Sequence, residues 1–330
     1  MTTAVSGEFE LRVEPFRREL LVHCYRMLGS VHDAEDLLQD TLVRAWRAFD
    51  RYDERKASLR TWLYRIATNT CLTALESRAR RPLPSGLVAP GDNPEAPLVR
   101  GEEVSWLQPF PDSLLPGGAD DPATVVASRG TLRLALIAAI QFLPAKQRAV
   151  LIFRDVLDWS AAEVAEALDL TPAAVNSALQ RARAKLAELG VGEDDVLEPD
   201  DPASRDFVNR YIRAFEAADV QAFAALLTED VLLEMPPFLN WFRGRDDHLR
   251  FVARVFSLRG TDWRVFPLAA NRQPGIAVYR GDEDGVHHLH TLHVFTITTA
   301  GITHNRVFQD ATVFAAFDLP AVLPSDVGSS

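Results

Sequence analysis

Three short stretches of this 330-residue chain carry polar and charged side chains at spacings that suit nucleic acid or a protein surface. Wound as a helix, Pro172 to Ala187 sets Asn176, Ser177, Gln180, Arg181, Arg183 and Lys185 opposite the apolar set Val175, Leu179, Ala182 and Leu186. Asn and Gln can pair with adenine edges, Arg with guanine edges, and trailing basic groups hold phosphates, so this face suits a duplex major groove. A second stretch sets Asp33, Asp36, Asp40, Arg44 and Arg47 opposite a stripe of Ala34, Leu37, Leu38, Thr41, Leu42, Ala45 and Phe49. Acids lead and bases trail, as a helix dipole favours, which describes a solvated face or a docking face for another helix pair. In a third, Arg60, Thr61, Arg65, Thr68 and Asn69 precede Arg78, Arg80 and Arg81. Guanidiniums for phosphate and small polar groups for unstacked bases are what a single strand needs.

A fourth set lies near the C-terminus: Glu234, Asp310, and His287, His288, His290 and His293. On a strand, His288 and His290 share one face while His287 and His293 share the other. An acid–base pair for catalysis is conceivable here. The default is satisfied or surface histidines, because neither a cysteine nor a His-Glu-x-x-His pattern joins them. No catalytic residue, metal site or cofactor is expected.

Three periodic blocks must position these residues. In the first, Phe16, Leu20, Cys24 and Met27 fall at helical spacing and Gly29 stops the run; a second helix begins near His32. After the polar loop Asp50 to Ser58, a third helix should bury Leu59, Trp62, Leu63, Ile66, Ala67 and Thr70. A Pro- and Gly-rich connector over 83–122 follows, holding the aromatic island Trp106 to Pro111. In the second block, Leu132, Leu136, Ile140 and Leu143 form a stripe ended by Pro144, and a short helix over Ala145 to Arg154 follows. Ser160-Ala-Ala-Glu163 reads as a capping box and Thr171-Pro172 as another helix start, which makes a helix-turn-helix. In the third, helices around Phe207 to Phe215 and Gln221 to Leu227 precede strand-like runs. These runs are Val231 to Met235, Trp263 to Leu268, Ile276 to Arg280, His287 to Thr298 and Ile302 to Phe314. Turns are expected at Gly281 to Gly285 and Ala300-Gly301, giving an α+β domain.

The net charge of −11 resolves by position. Between Arg60 and Arg81 five arginines face one acid, Glu76, and Pro172 to Ala187 holds three bases and no acid. Val191 to Asp201 holds six acids and no base. Binding depends on such local fields, so the acidity does not exclude nucleic acid. No apolar run approaches the ~20 residues of a membrane helix and no leader pattern opens the chain, so a cytoplasmic protein without membrane contact is expected. Cys24 and Cys71 read as buried free thiols.

Asp33 to Trp46, with Leu59-Arg-Thr-Trp-Leu-Tyr-Arg-Ile-Ala-Thr-Asn69, resembles region 2 of extracytoplasmic-function sigma factors. Leu143 to Arg148, Ala161 to Leu168 and Val175 to Leu186 resemble region 4. The resemblance implies two all-α domains, a region 2 helical bundle (10–82) and a region 4 helix-turn-helix (123–189), the latter followed by an acidic linker (190–202). It implies RNA polymerase core as partner, through the β′ clamp helices and the β flap, and promoter DNA. Asp33, Asp36, Asp40, Arg44 and Arg47 would bind the polymerase. The loop Asp50 to Ser58, with Arg60, Thr61, Arg65, Asn69, Arg78 and Arg80, would open and read the −10 element. Asn176, Ser177, Gln180, Arg181, Arg183 and Lys185 would read the −35 element. Many relatives have a basic residue where this chain has Asn176, so its −35 preference does not transfer.

Residues 203–320 resemble the SnoaL-like fold, an α+β cone that often encloses a pocket, on the cues Val231 to Pro237, Trp241 to Arg245 and Phe317 to Pro320. That resemblance implies a domain regulating the sigma factor in cis, with room for a small-molecule ligand in the cone. Two alternatives stand beside it. One is a SnoaL-type cyclase or isomerase fused to a DNA-binding half. The other is a ligand-responsive repressor using only the helix-turn-helix, which would need neither the charged 33–47 face nor the arginine-rich third helix.

Overall fold

A computed structural model describes residues 2–116, 130–190 and 196–323. The chain divides into two compact units, residues 1–81 with 113–192, and residues 82–112 with 193–330.

The first unit is helical. Its N-terminal lobe holds α1 (Thr2–Val13), α2 (Arg17–Leu28), α3 (Val31–Ala48) and α4 (Leu59–Leu75). Every residue of α2 from Leu20 to Leu28 is buried, so this helix is the lobe's centre rather than an amphipathic cover. Gly29 ends it in the left-handed region at φ 69°, where its amide reaches the Tyr25 carbonyl at 2.7 Å. Ser30 caps α3 by accepting from the Asp33 amide, and Ser58 caps α4 by accepting from Thr61. The buried face of α4 is rotated from the expected one: Tyr64, Thr68 and Cys71 are buried, while Trp62 and Ile66 are half-buried. Thr68 was expected on the exposed side. Its hydroxyl instead meets His23 Nε2 at 2.8 Å and donates back to the Tyr64 carbonyl, which satisfies it inside the core.

The second lobe of this unit holds α5 (Leu134–Ile140), α6 (Ala145–Leu151), a π turn (Ile152–Val156), α7 (Ala161–Leu168) and α8 (Pro172–Glu188). Both halves of the Ser160–Glu163 capping box are formed. Asp169 turns the chain in the left-handed region, and Thr171 caps α8 through the Ala174 amide. The two lobes pack together. Phe153 lies 5.6 Å from the His23 ring, and Trp159, stacked on Phe153 at 4.4 Å, lies 6.0 Å from Tyr64. The buried Arg148 guanidinium donates to the carbonyls of Ile140, Gln141 and Leu143 and, across the lobes, to that of Met27. The Met27 carbonyl lies in the last turn of α2, where carbonyls lack helical partners.

The second unit is α+β. Helices α9 (Pro202–Glu216), α10 (Val220–Ala224) and α11 (Arg245–Arg259) accompany a six-stranded sheet, and a short α12 (Ala311–Ala316) follows it. The strands are β1 (Leu227–Glu234), β2 (Trp241–Arg243), β3 (Trp263–Ala270), β4 (Gln273–Gly281), β5 (His287–Thr298) and β6 (Gly301–Phe308). Their order is β2-β1-β6-β5-β4-β3, and β1 runs parallel to β6 while the other pairs are antiparallel. The sheet is therefore mixed. The run expected as a strand to Phe314 stops at Phe308, because Asp310 accepts from the Thr312 amide and starts α12. The core gathers Tyr211, Phe215, Phe223, Phe256, Trp263 and Phe295.

The stretch 83–122, read above as a connector, is divided. Residues 82–112 lie with the second unit as a strap, 113–116 lie with the first, and 117–122 fall outside the described residues. Backbone bonds fasten the strap at Gly91 to Trp241 (2.8 Å), Val99 to Leu239 (2.8 Å), Gly101 to Pro237 (2.9 Å) and Phe110 to Asn271 (2.9 Å). The aromatic island docks here, with Leu107 and Phe110 fully buried.

Candidate functional site

All six residues of the groove-reading set on α8, Asn176, Ser177, Gln180, Arg181, Arg183 and Lys185, are exposed, opposite the buried Val175, Ala178, Leu179 and Ala182. The cations have local partners. Arg181 donates to Ser177 Oγ at 2.6 Å, Lys185 to Glu188 at 2.8 Å, and Arg183 makes a two-bond pair with Asp155 on the π turn at 3.0 and 2.6 Å. Surface pairs of this kind are worth about 0–1 kcal/mol, so each cation can exchange its partner for a phosphate.

On α3, Asp36, Asp40, Arg44 and Arg47 are exposed along one side. Asp33 is not part of that open face. Its carboxylate is 18% exposed and pairs with Arg78 at 2.8 Å and with Arg81, which locks the segment trailing α4 onto the start of α3. One acid from the polymerase set is thus shared by two arginines of the stretch trailing α4.

Along α4, Arg65 and Asn69 are exposed and Thr61 is half-buried beside Ser58 Oγ at 2.9 Å. Arg60 is committed inward, donating to both oxygens of Glu19 at 2.8–3.0 Å and lying over the Tyr64 ring. Arg80 lies 4.4 Å from the Phe142 ring. The loop preceding α4 is shaped by aromatic contacts that sequence reading missed: Tyr52 packs on Trp62 at 4.9 Å and donates to the Ala57 carbonyl at 3.0 Å. Trp62 was expected in the core; half-buried, it gives this surface an aromatic face.

The C-terminal acid and histidine candidates are not gathered into one site. Asp310 is spent as a helix cap, and His287 and His288 pair with Asp262 and Asp282 at 3.0 and 2.9 Å. Glu234 is fully buried and accepts from the Ser85 amide of the strap at 2.9 Å and from His304 Nε2 at 3.0 Å. Arg306 lies 3.7 Å away and donates to His304 Nδ1 at 3.0 Å, so the imidazole is neutral and carries its proton on Nε2. Burial raises the Glu234 pKa, but the hydrogen bond to His304, the attraction of that ring once it is protonated in acid, the Arg306 charge and the Ser85 bond outweigh it and hold the carboxyl down at about 2. His304 and Arg306 went unnoticed in the sequence, although alternate positions on one strand share a face.

A cavity of about 410 Å³ opens in this unit, lined by His290 and His293 and, among the described residues, not by Glu234 or any other Asp or Glu. Among the described residues no group of three or more His, Cys, Asp or Glu side chains is placed to hold a metal ion, and no helix is long and apolar enough to cross a membrane. Cys24 and Cys71 are free and buried.

Comparison with known proteins gives three family matches: Sigma-70 region 2 over residues 12–81, Sigma-70 region 4 over 133–186 and a SnoaL-like domain over 208–310. The chain is 48% identical over 316 residues to the ECF RNA polymerase sigma factor SigG of Mycobacterium tuberculosis, covering 95% of this chain and 84% of that protein. It is 30% identical over 247 residues to SigJ of the same organism, covering 72% and 70%. The crystal structure of Mycobacterium tuberculosis SigJ matches with a TM-score of 0.63 at 21% identity, over 96% of this chain and all of that one, which shows a shared multidomain fold.

Proposed function

Because the chain belongs to the extracytoplasmic-function RNA polymerase sigma factors, we propose that its three exposed faces divide the work of promoter-directed initiation. As a sigma factor it works with core polymerase and promoter DNA and is not itself an enzyme. The open side of α3, Asp36, Asp40, Arg44 and Arg47, docks on the β′ clamp helices, with Asp33 acting behind it as a structural anchor. Arg65 and Asn69 on α4, beside Tyr52 and Trp62, hold the melted −10 strand, where aromatic faces take unstacked bases. Exposed α8 reads the −35 duplex, and the lobe carrying it approaches the β flap.

The observation that carries this reading is the exposed, acid-then-base side of α3 within a region 2 match. Reversing Asp36 and Asp40 to Lys should weaken binding to core polymerase at least tenfold in a direct binding assay without DNA, with helicity and melting unchanged. Unaltered binding by the folded double variant overturns the assignment.

Geometry adds a step. The −10 and −35 elements lie about 25 base pairs apart, about 85 Å of B-form DNA. A compact unit of some 160 residues is about 40 Å across. The two lobes therefore part when both elements are held, breaking the Trp159–Tyr64 and Arg148–Met27 contacts. In this reading the C-terminal unit regulates the sigma lobes in cis, through the strap 82–112 that continues from the arginine-rich segment behind α4. A chain ending at Leu189 would strip the strap of its sheet, so a truncation assay needs a companion variant that keeps the sheet.

A further inference from the structure

We propose that Cys24 and Cys71 form a redox-modification site, a dithiol that hydrogen peroxide closes to an intramolecular disulfide when the two helical lobes part. The proposal rests on the reading above for that parting and adds a chemistry to it. The register of α2 against α4 brings the thiols together. Tyr64 donates to Glu19 at 3.2 Å and Thr68 meets His23 at 2.8 Å, both across 45 positions, so the two helices run the same way side by side. One residue past His23 and three past Thr68, the thiols of Cys24 and Cys71 are hydrogen-bonded to each other. The chain has these two cysteines and no other, so no third thiol competes for either.

Both cysteines are fully buried, and the second lobe is their lid. Helix α6 packs on α2 and on α4. Its Arg148 donates to the Met27 carbonyl, one turn along α2 from Cys24, and its charge acts on Cys71. Tyr64, Thr68 and Cys71 share the buried face of α4 at i, i+4 and i+7, and Trp159 packs on that face at Tyr64. While the lid is shut the pair is inert. The hydrogen bond with Cys24, then burial and the closeness of the Cys24 sulfur, raise the Cys71 pKa well above the ordinary thiol range, against the opposing charges of Arg148 and Arg78. A protonated, covered thiol is neither a nucleophile nor within reach of an oxidant. Parting the lobes withdraws Arg148 from Met27 and Trp159 from Tyr64, which admits water and peroxide to the seam between α2 and α4.

The step balances. One thiolate attacks the peroxide O–O bond, which breaks; its sulfur keeps one hydroxyl as a sulfenic acid, and the other oxygen leaves as water. The second thiol then attacks that sulfur: the S–S bond forms, the S–O bond breaks and a second water departs. The two thiols lose their hydrogens and two electrons, and both peroxide oxygens are reduced. The new bond is about 2.05 Å long, shorter than any hydrogen bond between thiols, so it draws α4 toward α2. Arg65 and Asn69 lie on the exposed side of α4, so oxidation should reduce strand opening.

The test exposes the full-length chain to hydrogen peroxide, then denatures it, alkylates it with N-ethylmaleimide and measures its mass. Both thiols should be lost together, in a monomer lighter by the two thiol hydrogens, and dithiothreitol should restore them. Cys24→Ser, or Cys71→Ser should the first not fold, should form no such bond and leave a sulfenic acid that dimedone traps. Trp159→Leu loses a ring contact worth about fivefold in the parted population and should oxidise about fivefold faster; Trp159→Phe, should the first not fold, gives a smaller rise. Free thiols that persist in Trp159→Leu as in the parent, linkage only between chains, or a rate that climbs with sub-denaturing urea as steeply as unfolding does overturns the proposal. If Trp159→Leu parts the lobes by energy transfer yet oxidises at the parent rate, the thiol site fails and the lobe reading stands. If neither distance nor rate changes, the parting fails and the gate with it. With chain oxidised beforehand, permanganate reactivity at equal core occupancy should fall several-fold and recover on reduction, and unchanged opening overturns the link to initiation.

Discussion

Replacing Glu234 with Gln should cost the C-terminal unit about 3–4 kcal/mol. Its carboxylate is 1% exposed, with the Ser85 amide on one oxygen and His304 Nε2 on the other, 3.7 Å from Arg306. A Gln side chain has one acceptor where Glu has two. Its amide NH₂ must face either the Ser85 N–H or the His304 N–H, and Arg306 keeps its charge without the opposing one. Two routes give the magnitude. The carboxyl is held at about 2 against an ordinary 4.5, and at 1.36 kcal/mol per pH unit that is about 3 kcal/mol. Removing one partner of a buried pair costs about 3–5 kcal/mol.

The pH dependence has a fixed sign. A carboxyl titrating below its unfolded value gives its full stabilisation above about 4.5 and loses it as pH falls toward about 2. The Gln variant should therefore lack that acid-sensitive limb. Because the chain has two units, a single melting temperature is ill-defined, and urea-dependent amide exchange on β6 and on residues 82–112 is the suitable readout. Both segments should lose protection together, since Ser85 ties the strap to the same carboxylate. A change below about 1 kcal/mol, or loss confined to β6, would refute the reasoning. Adding Arg306→Gln should recover part of the loss, as a coupled pair requires.

Replacing Arg181 and Arg183 with Ala should weaken duplex binding and make its salt slope shallower by about one per lost phosphate contact, while Asp155→Asn, which frees Arg183, should tighten binding about twofold; equal salt slopes would count against α8. Changing Arg65 and Asn69 to Ala should spare initial promoter binding and reduce strand opening several-fold, read by permanganate reactivity; normal opening contradicts that division of labour. Trp159→Leu removes the ring contact with Tyr64, worth about 1 kcal/mol, so the parted state of the two lobes should gain about fivefold in population. Energy transfer between dyes at positions 39 and 184 measures it, and an unchanged distance distribution refutes the opening step.

What the sequence made legible follows the range of the interactions involved. Caps and turn residues act within four positions, so Gly29, the Ser160–Glu163 box and Thr171 could be read directly, and with them the faces of α3 and α8. The rotated face of α4 was not legible, because Thr68 is drawn inward by a histidine 45 residues away. The same holds for Asp33, whose ion pairs with Arg78 and Arg81 are made to residues arriving from beyond the next helix. The strap is the strongest case. Residues 82–112 have a connector's composition because their backbone bonds are made to residues some 140–160 positions later, as Phe110 does with Asn271 and Val99 with Asn240. Proline and glycine there mark a chain that follows another surface, not one free of it. A Pro-rich stretch that also carries a short aromatic island is then better read as a docked edge, and the place to seek its partner is a later sheet with Asn at its turns. By that reasoning Asn240 and Asn271, neither singled out by motif, are the residues through which the later sheet holds the strap at Val99 and Phe110.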